Sequence, residues 1–379
     1  MEYSFPEEPM YKRYCKIMIT LAPLRLRQEP EYLKTVSVID ALANRAYDIA
    51  MGAKPGIRFG FAFDHYTTES LFGRAEELLD ALKNGEFPLQ GKYTEPGAVA
   101  VVDHDFVEKD GVMHVFYNRA FVGHDWPERF VDTFGHAVSE DLIHWTPCPP
   151  VFSAQEGGFD DYQVWSPGFI QRGGKYYMFY TGVNYNIAQA ICMAESEDLV
   201  HWTRCADNPV FIPGSWAPWS ADKWSDCRDG MVFGDDGRYY LYYCTSRYMD
   251  DGSIHNAMGI ATSDDLYHWK DEGAFTIPNC NHMPESPYVF KRRGTYYMIF
   301  TNCGKGIAYA TSKYPDRGWE VLPDDRNLLF PGSTAEVIEF KGKWYISNTL
   351  WHGTGEQYLE LAEITWNDDG TFTVGQWLR

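Results

Sequence analysis

Long apolar runs are missing from this 379-residue chain, and no stretch approaches 18 apolar residues, so no membrane-spanning helix is predicted. The N-terminus, MEYSFPEEPMYKRYCK, lacks an apolar segment and a small-residue cleavage site, so no secretory leader is predicted either. Basic residues are scarce: 33 Lys and Arg stand against 53 Asp and Glu, a net charge of −20. A surface of that sign repels nucleic acid and anionic membranes, and it suits neutral ligands better than anionic polymers. The eight cysteines (Cys15, Cys148, Cys192, Cys205, Cys227, Cys244, Cys280 and Cys303) contain no C-x-x-C pair. That excludes the common zinc and redox motifs, and their wide spread is not the pattern of a disulfide scaffold. The expectation is a reduced, cytoplasmic protein with no metal and no cofactor.

What is plentiful is aromatic: 16% of the chain, with 26 Tyr and 13 Trp. Most of these suit β-sheet positions, where aromatic side chains are favoured. A few suit a carbohydrate cleft, where a ring face meets the C–H surface of a sugar. The chain divides near residue 95. Residues 31–51 carry Leu33, Val36, Ile39, Leu42 and Ala46 near helical spacing, and 67–84 read as a second helix with a threonine cap and Gly85 beyond its end. Residues 1–95 are therefore read as a helical extension. From 96 to 379 the helical period vanishes, and short aromatic runs alternate with Gly, Asp and Asn, the pattern of an all-β domain.

Internal repeats set the architecture. A turn followed by an aromatic strand occurs five times, as DGVMHVFY, GGKYYMFY, DGRYYLYY, RGTYYMIF and KGKWYISN. The turn glycines, Gly111, Gly174, Gly237, Gly294 and Gly342, are separated by 63, 63, 57 and 48 residues. Each unit holds enough chain for four short strands, one propeller blade, so the repeats predict a five-bladed β-propeller. A second repeat, SEDLIHW, SEDLVHW and SDDLYHW, falls between copies of the first. Its Asp141, Asp198 and Asp265 are read as turn formers.

In a propeller the first strand of each blade lines the central channel. Counting eight residues back from the turn glycine gives Asp103, Ser166 and Asp229 in units one to three, and counting nine back in unit four gives Glu285. A single Asp is usually a turn former. Three acids near one register, each leading into an apolar strand, instead point to a common funnel. Carboxyls brought together there repel one another and lose water, which pushes their pKa values apart. A pair of such carboxyls is the equipment of glycoside hydrolysis. Asp105 rivals Asp103, since residues two apart share a strand face, but the 63-residue register favours Asp103. His104 would point away, and His282 precedes Glu285 closely enough to serve as a substrate ligand. Trp126, Trp165, Trp224 and Tyr162 are candidates for the sugar platform.

These motifs resemble glycoside hydrolase families 32 and 43, the five-bladed furanosidase propellers, over residues 96–379. SEDLIHW is similar to the S-x-D-L-x-H-W stretch of family 32, CRDGMVF (227–233) to its R-D-P motif, and PESPYVF (284–290) to the Glu-containing motif of blade four. WSPGFIQRGGKYYMFYTG (165–182) is similar to the W-A-P stretch of family 43. The resemblance implies that Asp103 is the family 32 nucleophile or the family 43 general base. It makes Asp229 the acid that steadies the transition state through sugar hydroxyls, with Arg228 beside it, and Glu285 the general acid, whose pKa should be raised. Asp105, His104, Ser166, His282, Trp126, Trp165 and Trp224 are the remaining substrate-binding candidates.

The chain departs from the family 32 pattern in places. It reads VVDHDF where family 32 has N-D-P-N-G, Gly230 follows Arg-Asp in place of Pro, and Ser286 follows Glu285 in place of Cys. No family 32 β-sandwich is expected after unit five. In the related anhydrogalactosidase family an N-terminal helical piece serves dimer formation, which implies a homo-oligomer through residues 1–95.

The expected activity is hydrolysis of a terminal glycosidic bond, of a furanoside such as a β-fructofuranoside. The alternatives are an inverting arabinofuranosidase or xylosidase, an anhydrosugar glycosidase, a fructosyl transferase, a glycoside phosphorylase, which would need several basic residues in the funnel, and a non-catalytic carbohydrate-binding propeller.

Overall fold

The computed structural model describes residues 8–27, 29–53, 66–97, 99–123, 131, 133–278, 280, 282–322 and 326–379. Twenty strands form five four-stranded sheets, each antiparallel and each in sequence order. Blade one holds β1 (Val99–Lys109) to β4 (Thr146–Pro147), and blade two β5 (Gln163–Arg172) to β8 (Thr203–Arg204). Blade three holds β9 (Cys227–Asp235) to β12 (Lys270–Phe275), and blade four β13 (Pro284–Arg292) to β16 (Leu328–Phe330). Blade five holds β17 (Val337–Phe340) to β20 (Phe372–Trp377). The fold is the predicted five-bladed propeller, with β1, β5, β9, β13 and β17 innermost.

The repeats work as local chemistry requires. Gly111, Gly174, Gly237, Gly294 and Gly342 all sit in the left-handed region, with φ between 76° and 83°, and so can close the tight hairpin between the first and second strands of each blade. In the second repeat, Asp141, Asp198 and Asp265 each accept the amide of the histidine three residues on, so these acids are turn formers. Trp202 and Trp269 of that repeat pack edge-on against Phe116 and Phe179, filling the wedge between neighbouring blades.

Blades five and one close the ring. His104, on β1, holds Ser347 and Thr349 of β18 (Lys343–His352) at 2.7 and 2.9 Å. Tyr93 and Leu359 exchange backbone hydrogen bonds of 2.7 and 3.0 Å.

Among the described residues, three α-helices precede the propeller: α1 (Glu8–Leu21), α2 (Pro30–Ala50) and α3 (Thr68–Lys83). Thr67 caps α3 through a reciprocal bond with Ser70. The sequence reading anticipated the last two helices and missed α1, although Met10, Tyr14, Ile17, Met18 and Leu21 recur at helical spacing. The helices bury Ile17, Leu21, Val36, Ile39, Leu42, Leu71, Phe72 and Leu79 in one cluster that continues into Ala100 and Val102 of β1. A buried ion pair, Arg74 with Glu356 at 3.0 Å, ties α3 to blade five. None of the described helices is long and apolar enough to cross a membrane.

Candidate active site

The site is built by a repeated backbone irregularity. Each of the first four inner strands breaks register with its partner near its start: at Val102/His104, Trp165/Gly168, opposite Tyr242/Cys244, and at Glu285/Tyr288. At each break one non-glycine residue takes a positive φ: Asp103 (35°), Ser166 (48°), Asp229 (58°) and Ser286 (48°). A β-bulge adds one residue and re-aims its side chain, and left-handed non-glycine residues persist where the surroundings enforce them. Here they aim side chains at the propeller axis.

Two stacked rings result. The inner ring is Asp103, Ser166, Asp229 and Ser286, completed by Thr334, eight residues before Gly342. The Ser166 hydroxyl lies 3.1 Å from Asp103 and 2.7 Å from Asp229. Thr334 donates to Asp103 at 2.7 Å, Asn118 donates to Asp103 at 3.1 Å, and the Ser286 amide donates to Asp229 at 3.0 Å. The outer ring, one residue earlier in each blade, is Val102, Trp165, Arg228, Glu285 and Ser333. Both rings except Thr334, with Asn118, Val131 and Trp224, line a funnel of about 290 Å³. Glu285 therefore does not share a register position with Asp103 and Asp229. It stands in the ring above them, where blade three carries Arg228.

The electrostatics follow from that placement. Asp103 is half-buried and faces Asp229, and the loss of water and that facing charge together push its pKa up to about 7. Burial opposes charge on Glu285, but Arg228, with Nη2 2.5 Å from Oε1, and the Cys303 thiol, 3.0 Å from Oε2, together outweigh it. The Glu285 carboxyl is held below its ordinary value. This corrects the expectation of a raised pKa: in the free site the proton is favoured on Asp103, and the acid candidate is ionised. Arg228 is in turn fixed by Asp226 at 2.5 Å and Gln189 at 3.2 Å through Nη1. Arg228 is the one basic residue among the described residues lining the funnel.

The other candidates divide. Trp165 lines the funnel with its indole nitrogen anchored on Gln163, and Trp224 stands exposed at the rim, donating to Asp226. His104 is corrected: it is 2% exposed, both ring nitrogens are engaged by blade five, and burial lowers its pKa to about 3, so it is a neutral strut. Asp105 is corrected as well. It lies on the axis beneath Asp103, accepts the amides of Phe106 and Phe169, and faces Glu336. His282 is exposed and does not line the funnel, and Tyr162 is buried against Tyr185. Trp126 lies outside the described residues. Among the described residues, no group of three or more His, Cys, Asp or Glu is placed to hold a metal.

Sequence reasoning missed Thr334, Asn118, Asp226, Gln189 and Cys303. Only Thr334 was within reach, by carrying the same count into unit five.

Below the rings, burial raises Asp105 to about 7 and Glu336 well above the carboxylate range. Folding favours the protonated form of Asp105, so its stabilising contribution is complete below about pH 4 and is lost as pH rises through 7. Asp105→Asn should therefore flatten the fall of Tm between pH 6 and 9. A gain of about 3 °C at pH 8.5, with none at pH 5, is the expected result of a thermal-melt series. An equal shift at both pH values would contradict it.

A five-bladed propeller with facing carboxyls at the mouth of its channel is the architecture of the furanosidase-type glycoside hydrolases. The chain belongs to glycosyl hydrolases family 32, whose N-terminal-domain model matches residues 104–362, beginning one residue after Asp103. It is 37% identical over 301 residues to acid β-fructofuranosidase 4, vacuolar, of Arabidopsis thaliana, covering 67% of this chain and 41% of that one. It is 30% identical over 170 residues to an extracellular endo-α-(1→5)-L-arabinanase of Thermotoga petrophila, covering 40% of this chain and 29% of that one. The chain spans less than two thirds of the length of these curated relatives. Its fold matches a family 43 β-xylosidase/α-arabinofuranosidase from a compost microbial metagenome, with a TM-score of 0.56 and 19% identity, covering 72% of this chain and 94% of that one.

Proposed function

We propose that this chain hydrolyses a terminal furanoside bond, of the β-fructofuranoside type, with Asp103 as nucleophile and Glu285 as general acid. The observation that carries the reading is the pair of stacked rings, which brings Asp103, Asp229, Arg228 and Glu285 into one funnel. Its volume, at the low end of ligand sites, suits a single sugar ring and so a terminal bond. Asp103 attacks the anomeric carbon while Glu285 protonates the departing oxygen. Water, deprotonated by Glu285, then releases the sugar from Asp103. Asp229 and Arg228 hold the sugar hydroxyls. A hydroxyl that takes Nη2 of Arg228 away from Glu285 removes the contact that keeps the acid ionised, so occupation of the site arms it.

One observation favours a second reading. A carboxyl raised to about 7 suits a general base working near neutrality, as an inverting arabinofuranosidase or xylosidase would need. Asp103 would then deprotonate the attacking water.

The test offers sucrose, an aryl β-fructofuranoside, an aryl α-arabinofuranoside and an aryl β-xyloside to the parent and to Glu285→Gln. Hydrolysis of the fructofuranosides by the parent alone, with retained configuration in the first-formed sugar by NMR, is expected. Inversion selects the second reading. A parent that cleaves none of the four, or a variant as fast as the parent, sinks both.

A further inference from the structure

Glu285 is held at both carboxyl oxygens. Arg228 reaches Oε1 from blade three, and Cys303 reaches Oε2 from the turn that follows β14 (Thr295–Asn302). The two donors are not alike. The guanidinium can only donate, and it is anchored on Asp226 and Gln189. A thiol donates through S–H and accepts at sulfur. The turn holds Cys303 in place: the Lys305 amide returns to the Asn302 carbonyl at 2.8 Å, and Gly304 supplies the left-handed residue between them, with φ 83°. Burial and the facing Glu285 raise the pKa of the thiol, so it keeps its proton for donation. Of the charged groups around it, Glu285 and Asp229 favour the thiol and Arg228 the thiolate.

We propose that Cys303 is a positioning residue for the acid, whose thiol keeps Oε2 of Glu285 aimed in both protonation states. It donates to Oε2 while the carboxyl is ionised, and it goes on donating to that oxygen once Oε1 carries the proton meant for the leaving group. Arg228 cannot do this, because a protonated Oε1 would meet another donor. The contact thus spans the change of charge that each turnover demands. This rests on Glu285 being the acid.

The experiment compares Cys303→Ala and Cys303→Ser. The serine hydroxyl also donates and accepts, so that variant should stay within about threefold of the parent in kcat. The alanine variant should lose about tenfold in kcat, part of what a well-placed acid supplies, with KM little changed. Its alkaline limb should move to higher pH, because the ionised carboxyl has lost a donor. Parent-like kcat and pH profile in Cys303→Ala would overturn the proposal, as would a serine variant no better than alanine. Should the alanine variant not fold, Cys303→Val is judged on the same criteria.

A second readout needs no turnover. Carbamidomethylation of Cys303 by iodoacetamide, followed by peptide mass spectrometry at pH 8, should be several-fold faster in Glu285→Gln, where the facing charge is gone. An unchanged rate overturns the contact itself. A changed rate in a protein that cleaves no glycoside condemns the functional reading and leaves the contact standing.

Discussion

Asp103→Asn should abolish turnover and stabilise the protein at the same time. The loss in kcat is expected to be about 10³-fold, since attack or base catalysis by this carboxyl is removed. Ser166, Thr334 and Asn118 all point donors at it, and none carries a charge. KM should change little, because Arg228 and Trp165 still line the funnel. The gain in stability has a separate cause. Asp103 is half-buried facing Asp229, and its pKa of about 7 records the cost of ionising it there. Folding favours its protonated form, so the stabilising contribution is complete below about pH 4 and falls away as pH rises through 7. A neutral amide removes that dependence, and the Ser166 and Thr334 hydroxyls can rotate to accept from it. Melting curves should show Asp103→Asn above the parent at pH 8 and level with it at pH 4. A variant less stable at pH 8 would mean that the carboxylate earns its place in the fold as well as in the chemistry.

The fold was legible because its determinants are local and repeated. Five glycines that must be left-handed, each leading into an aromatic strand, are visible in any one blade and unmistakable in five. Asp103 and Asp229 were legible through the same count, since the inner strands enter the channel at equivalent places. The count failed at Glu285 for a physical reason. The bulge that aims these residues is occupied by Asp, Ser, Asp and Ser, so no residue type marks it, and an acid one position early looks like a small slip in register. In the structure that position is a different ring with a different neighbour. His104 and Asp105 misled because alternation along β1 says which face a residue takes, but not that blade five closes over one of them and that the other lies below the funnel. The contacts that set the acid's charge were beyond reach. Arg228 and Glu285 are 57 residues apart and Cys303 lies 18 beyond Glu285, so only the assembled blades bring them together.

Arg228→Gln should be the most damaging change to stability and should also alter the pH profile. The guanidinium stands between Asp226 and Glu285 at 2.5 Å each and 4.0 Å from Asp229, and its side chain is only 12% exposed. Removing it leaves three carboxyls together without a cation. Breaking a fully buried pair costs about 3–5 kcal/mol at neutral pH, and this partly exposed cluster should lose less than that. The Glu285 pKa lies below its ordinary value in the parent, so its pairing stabilises above about pH 4.3 and is lost as pH falls through the folded value. The deficit of Arg228→Gln should therefore be largest near pH 7 and shrink towards pH 3. Arg228→Lys should recover only part of it, since one ammonium cannot serve Asp226 and Glu285 with the two arms that the guanidinium uses. In activity two effects oppose each other. Loss of the contact to the sugar should lower kcat/KM by about 10- to 100-fold, the order expected for one charged hydrogen bond lost in the transition state. The unpaired Glu285 should meanwhile take up its proton more readily, so the alkaline limb of kcat/KM, which reports the free enzyme, should move to higher pH. A fall in rate with an unmoved limb would show that Arg228 only binds the sugar. A moved limb would show that it also sets when the acid is armed.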